Sequence, residues 1–275
     1  MEMSLQKVTG FVEANGTSFY YEACGAGEAL LLIHGLNLDT RMWSEQLAAF
    51  SERYRVISFD LRGMGRTPNS EGPFTLYDDA RAVLQGLGIA EAHVIGHSFG
   101  SVVAQELVLA YPEMVKSLVL VSPTLTGYPR SERRMQDFAR FVEMYETGTK
   151  EETVEMSARM WFDGPGQETR EESLAARANY VRMTAHAYDL PQLKNQPAWL
   201  SPPPIERLEE IEVPALVIAG QKDYDDFQKM ADTLAERMAN AEKVLLPDSA
   251  HLPPMDQPAE CNRLVLAFLD RVGRK

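Results

Sequence analysis

The chain has 275 residues, 45% of them hydrophobic and 24% charged, with a net charge of −13. That length and composition suit a globular protein with a large core that needs no disulfide staples. The acidic balance argues against a nucleic-acid partner, which needs a basic face, and gives no support for docking on anionic lipid.

In chain order, MEMSLQKVTGFVEANG contains no apolar h-region and no cleavage pattern, so no signal peptide is expected. VTGFVEA and TSFYYEA flank Asn15-Gly16, a pair that favours a tight hairpin because both residues tolerate positive φ. LLLIHG (30–35) reads as a strand, WSEQLAAFSERY (43–54) as a helix and RVISFD (55–60) as a strand. TLYDDARAVLQGLG (75–88) reads as an amphipathic helix capped by Thr75 and closed by Gly88. AHVIG (92–96) is a strand, SVVAQELVLAYP (101–112) a helix and KSLVLVS (116–122) a strand. The alternation resumes with the strand VPALVIAG (213–220), the helix DDFQKMADTLAERMA (225–239), the strand EKVLLP (242–247) and the helix AECNRLVLAFLDRV (259–272).

Short, nearly all-apolar strands alternating with helices predict an α/β fold with a mostly parallel, eight-stranded sheet covered on both faces. The stretch between Ser122 and Val213 has no β-like run and carries three helical patterns, 131–146, 150–162 and 170–188, before the breaker-rich PAWLSPPP. It is too long for a loop. The expected organisation is a core from 1–122 and 206–275, with a helical cap at 123–205 inserted between strands 6 and 7. Cys24 and Cys261 lie near opposite ends with no CxxC spacing, so two reduced, buried thiols are expected. No window approaches about 18 uninterrupted apolar residues, so no membrane span is expected and the cytoplasm is the default location.

In open α/β sheets, ligands bind beyond the carboxyl ends of the strands. Those ends carry HGLN (34–37), DLRGMGRT (60–67), GHSFG (96–100), GQKD (220–223) and DSAH (248–251). A serine, an acid and a histidine therefore fall at one end of one sheet. The histidines are scattered without HExxH spacing, and Gly63-Met64-Gly65 lacks the third glycine of a dinucleotide fingerprint, so neither a metal nor a cofactor is expected.

Taken together, the chain resembles a capped, cofactor-free α/β-hydrolase. GHSFG is similar to that superfamily's G-x-S-x-G nucleophile elbow, and serine, acid and histidine follow in its order. HGLN resembles its oxyanion segment, DLRGMGRT its D-x-R-G-x-G-x-S/T turn, and GQKD and SAHLPPMDQPAE its acid and histidine loops. The resemblance covers the whole chain and implies Ser98 as nucleophile, His251 as general base and Asp223 as orienting acid. It implies an oxyanion hole from the Phe99 and Leu36 amides. Asp225 and Asp226 are rivals to Asp223 but suit the first turn of the next helix, where the dipole favours acids. Asp248 is read as shaping the histidine loop, and Asp60 and Arg62 as structural. His34, Trp161, Tyr188 and Trp199 are candidate substrate contacts.

A serine rather than an aspartate nucleophile argues against a dehalogenase or epoxide hydrolase. The implied activity is hydrolysis of a carboxylic ester or lactone of a small to medium, largely apolar molecule, nearest the carboxylesterase and enol-lactone hydrolase branch. Carbon–carbon bond hydrolysis, cofactor-free perhydrolysis, a ligand receptor with little turnover and an unused triad remain open at the level of sequence.

Overall fold

The computed structural model describes residues 7–191 and 195–274. The leader reading on residues 1–6, and residues 192–194 of the helical insertion, lie outside them.

A hairpin opens the chain, β1 (Val8–Ala14) and β2 (Thr17–Cys24). Its turn holds Asn15 at φ 45° and Gly16 at φ 76°, the double positive φ that a two-residue hairpin of this hand requires. Then follow β3 (Ala29–Ile33), α1 (Ser44–Ser51), β4 (Arg55–Phe59), α2 (Leu76–Gly86), β5 (Ala92–His97), α3 (Phe99–Ala110) and β6 (Val115–Val121). The insertion supplies α4 (Glu132–Thr147), α5 (Lys150–Ser157), a π-helical stretch (Ala158–Asp163) and α6 (Leu174–Asp189). It contains no strand among the described residues. The chain re-enters the sheet through β7 (Ala215–Gly220), α7 (Asp225–Arg237), β8 (Ala241–Leu246), α8 (Pro253–Asp256) and α9 (Pro258–Val272). Among the described residues the strands form one eight-stranded sheet in the order β1-β2-β4-β3-β5-β6-β7-β8. Pairing is antiparallel from β1 to β2 and β2 to β4, and parallel from there on.

Alternation along the strands divides the core between the two faces. Leu31, Ile33 and Val94 pack with Val83 of α2, Val103 of α3 and Leu234 of α7. Leu30, Leu32 and Ile95 pack with Leu47 and Phe50 of α1 and with Phe268 and Leu269 of α9. This two-sided burial is the reason the strands are continuous apolar runs.

Four local expectations change. The helix expected at 43–54 is a 3₁₀ turn over Thr40–Trp43, whose cap Asp39 accepts from the Arg41 N–H, followed by the shorter α1. α3 begins at Phe99, two residues earlier than its apolar spacing suggested. The regular helix expected to 162 widens after Ser157 into the π-helical stretch. The short α8, opened by a Pro-Pro pair suited to a first helical turn, has no periodic signal because it is four residues long.

Caps elsewhere follow the sequence. The Thr75 side chain accepts from the Asp78 N–H at the start of α2, and Thr149 with Glu152 forms a capping box on α5. Both cysteines are buried free thiols, and burial pushes the Cys261 thiol up to about 12. No helix among the described residues is long and apolar enough to cross a membrane.

Candidate active site

At the end of β5 the chain turns sharply into α3, and Ser98 occupies the corner at φ 49°, ψ −112°. A positive φ at a non-glycine residue is strained and persists only where the surroundings hold it. They do so here through tight backbone packing. A Cβ on Gly96 would lie 2.4 Å from the Gly100 oxygen, and one on Gly100 would lie 2.3 Å from the Ile33 oxygen. The Ser98 N–H donates to the Val121 oxygen of β6 at 2.9 Å. Ser101, where many relatives of the elbow type carry glycine, is fully buried; its hydroxyl donates to the Ser98 oxygen and accepts from the Thr124 N–H at 2.9 Å. Ser98 stands at the N-cap position of α3, yet its side chain makes no capping bond. Its hydroxyl is directed instead at a histidine.

That histidine is His251, on the loop after β8. Its Nδ1 lies 2.6 Å from Asp223 Oδ2 and its Nε2 lies 2.7 Å from Ser98 Oγ. A carboxylate only accepts, so Nδ1–H donates to Asp223 and Nε2 accepts the Ser98 hydroxyl proton. Asp223, buried just beyond β7, also accepts from the Tyr224 N–H at 2.7 Å. The imidazole is 5% exposed. Phe227 and Trp161 lie against it with centroids at 4.3 and 5.0 Å. The three polar side chains come from the ends of three strands, separated by as much as 153 residues.

Sequence reasoning missed the groups that hold this histidine. Asp256 accepts from the Ser249 hydroxyl at 2.6 Å and from the Ala250 N–H at 3.1 Å, which fixes the two residues before His251. Burial pushes the Asp256 carboxyl upward against those bonds. The Arg170 guanidinium, from the insertion, reaches Asp256 at 3.4 Å and donates to the Asp248 oxygen at 2.6 Å. The His251 N–H donates to the Trp161 oxygen at 3.3 Å, and His97 Nε2–H donates to the His251 oxygen at 2.7 Å. Burial, with His251 close by, presses His97 down to about 3, so its ring stays neutral. The only sequence signal for Asp256 is a carboxylate shortly after the histidine, in a segment where the eye goes to the Pro-Pro pair.

The loop after β3 touches the elbow, because a Cβ on Gly35 would lie 2.6 Å from His97 Nδ1. It turns through Asn37 at φ 59°, closed by the Leu38 N–H donating to the Gly35 oxygen at 3.2 Å. The Leu36 N–H has no bond among the described residues, and Phe99 is the first residue of α3, whose opening N–H groups have no intrahelical acceptor. Both N–H groups thus lack a protein acceptor among the described residues.

The candidate substrate contacts divide. Trp161 presses on His251, and Trp199 stands edge-on to Phe99 at 5.7 Å. Tyr188 lines a cavity of about 230 Å³ in the insertion. His34 does not offer a nitrogen to a ligand. It is fully buried, its Nδ1–H donates to the Gly35 oxygen at 2.8 Å, and its Nε2 accepts from the Leu61 N–H at 2.9 Å. Its ring ties the loop after β3 to the loop after β4. Asp60 is spent likewise, accepting from the Thr40 N–H at 2.7 Å and the Arg66 N–H at 2.8 Å. Arg62 forks onto buried Asp79 at 2.8 and 2.6 Å. Of the rival acids, Asp226 lies in the first turn of α7 and accepts from the Ser131 N–H at 2.8 Å, which anchors the start of α4.

A model of the "Alpha/beta hydrolase family" matches residues 30–264. A protein of Azorhizobium caulinodans named "Putative carbamate hydrolase RutD" is 28% identical over 96% of this chain and 99% of its own. The naproxen esterase (carboxylesterase NP) of Bacillus subtilis superposes with a TM-score of 0.81 at 23% identity, over 97% of this chain and 92% of its own. The enol-lactonase of Burkholderia xenovorans LB400 superposes with a TM-score of 0.75 at 22% identity, over 95% of this chain and all of its own. At that identity the two structures speak to the fold alone.

Proposed function

Because the chain belongs to the alpha/beta hydrolase family, we propose that it is a serine hydrolase cleaving a carboxylic ester or lactone of a small to medium, largely apolar molecule. The observation that carries this reading is the single imidazole bridging Ser98 and Asp223 at 2.7 and 2.6 Å. A serine hydroxyl becomes a useful nucleophile only when a positioned base takes its proton.

The reaction proceeds in two steps. Ser98 Oγ attacks the carbonyl carbon while His251 Nε2 takes the hydroxyl proton, and Asp223 stabilises the imidazolium that forms. The Phe99 and Leu36 N–H groups receive the developing oxyanion. His251 then gives its proton to the leaving alkoxide. A water, deprotonated by the same nitrogen, attacks the acyl-enzyme and frees Ser98 and the acid. The aromatic wall from Trp161 and Phe227 shields the imidazole from bulk water, which strengthens the charge interactions during proton transfer. Residues 123–205 act as a cap that decides which carbonyls reach the serine. Esterase and lactonase names among the fold neighbours, and a carbamate hydrolase name among the sequence relatives, fit acyl transfer at a carbonyl.

The test is labelling by a fluorophosphonate together with turnover of short-chain esters and lactones. Ser98 is expected to be modified, and Ser98→Ala to lose both labelling and turnover. Asp223→Asn should retain labelling at a much reduced rate, with kcat down by about 10⁴-fold because the imidazole is held in the wrong tautomer. Tight ligand binding without turnover in the wild type would replace the hydrolase reading with a receptor.

A further inference from the structure

The cavity of about 230 Å³ in the insertion is walled by Phe141, Val142 and Tyr145 of α4, Val154 of α5, and Ala187 and Tyr188 of α6. None of its lining side chains is charged. Three of the hydroxyls on its wall are committed within the insertion. Ser157 bonds Tyr180 at 2.7 Å, Thr184 donates to the Tyr180 oxygen at 3.1 Å, and Thr153 donates to the Thr149 oxygen at 2.9 Å. One polar residue from outside the insertion joins the lining, Asn37, which is exposed and whose amide makes no hydrogen bond among the described residues. Tyr145 and Tyr188 meet edge to face at 5.2 Å, a surface that suits a further aromatic ring.

Two chain connections run from the lining of this cavity to the groups around Ser98. Asn37 follows Leu36 directly, so its Cα is about 3.8 Å from that of the residue whose N–H faces the oxyanion. Ser157 precedes Trp161 by four residues, at the entry to the π-helical stretch, and Trp161 lies against His251. Chain connectivity therefore leads from the cavity lining to the site on both the Leu36 side and the His251 side.

We propose that this cavity is the specificity subsite for an uncharged, single-ring aromatic group carried by the ester or lactone, with the exposed Asn37 amide bonding a polar atom of that group. The inference rests on the hydrolase reading of Ser98. Size favours one ring, since a dry cavity of about 150 Å³ accommodates benzene and drug-sized ligands need about 300 Å³ or more. Charge disfavours a carboxylated group, because the subsite offers no cation and the chain carries −13.

The experiment compares benzyl acetate and methyl phenylacetate with methyl acetate and monomethyl succinate, following acid release. In the wild type at least one aromatic ester should exceed methyl acetate in kcat/KM by about 10-fold or more, the range a well-filled apolar pocket supplies. The charged ester should be the poorest. Ala187→Trp fills the cavity and should lower the aromatic-to-methyl ratio at least tenfold. Asn37→Gly keeps the positive φ, removes the amide, and should raise KM for the aromatic ester several-fold. Binding of benzyl acetate to Ser98→Ala, measured by ligand-detected NMR, reads the subsite without turnover and should vanish in Ser98→Ala/Ala187→Trp. An unchanged ratio in Ala187→Trp, or no binding to Ser98→Ala, overturns the subsite while leaving Ser98 labelling intact. Loss of the hydrolase reading shows separately, as a Ser98 that no fluorophosphonate modifies.

Discussion

Ser98 shows how one side chain escapes the role its position suggests. A serine before a helix ordinarily caps it, accepting a backbone N–H. Here the strained corner turns the hydroxyl away from α3 and towards His251. Glu106, two turns further along α3, is a second residue with an unusual setting. It is fully buried, one carboxylate oxygen accepts from the Leu200 N–H at 3.0 Å, and the other has no partner among the described residues. Burial pushes this carboxyl up to about 7. Between the ordinary glutamate value of about 4.3 and about 7, the folded chain keeps a proton that the unfolded chain has released. Stability from this residue is therefore present at low pH, falls as pH rises through that window and levels off above it. The loss is on the order of 3 kcal/mol. Buried Asp60, Asp79 and Asp256 are displaced in the same direction, so the useful quantity is the difference from Glu106→Gln. Urea unfolding at pH 5, 6, 7 and 8 should give a shallower pH slope for the variant; parallel slopes would remove Glu106 from this account.

Elements differ in how firmly they are held. The core helices bury a face, but α4 has no buried residue along Glu132–Thr147. Partly buried Phe141 packs against the core, and the attachment of α4 to α7 is polar. The Asp226 carboxylate accepts from the Ser131 N–H and lies 3.6 Å from the Arg134 guanidinium, which covers the Phe227 ring at 4.3 Å. Tyr224 adds a bond from its hydroxyl to Asp137 at 3.1 Å. A helix with no fully buried side chain opens locally at low cost. In Asp226→Ala, amide exchange across Glu132–Thr147 should rise at least tenfold while β5 and β6 stay protected; equal protection in both proteins would mean that α4 has another anchor. The strands and most helices were legible in the sequence because a sheet buried on both faces demands unbroken apolar runs, and because caps such as Thr75 act within one turn. The π-helical stretch was not, since its distinguishing contact, Trp161 to His251, joins residues about 90 positions apart.

At the scale of the whole molecule, Ser98, Asp223 and His251 could be picked out because each follows a strand end in a parallel sheet, and the structure brings the three together. The supports around them could not. His34 looks like a site residue from its place in HGLN, but its ring nitrogens are consumed by Gly35 and Leu61. Asp256 looks like a helix residue until Ser249 and Ala250 are seen to fold back on it. Such roles depend on what meets the side chain from distant parts of the chain, which spacing does not encode. The insertion also divides the three hydrogen-bonded side chains: Ser98 lies before it, and Asp223 and His251 lie after it. Because β6 and β7 pair directly across that division, the sheet interface itself joins the two halves. A single protease cut in the α4–α5 connection should accordingly leave a nicked but associated enzyme, with Ser98 on one polypeptide and His251 on the other. Ester turnover in a species that runs as one body under native conditions and as two bands in detergent would demonstrate it; dissociation on nicking would show that the continuous backbone is required.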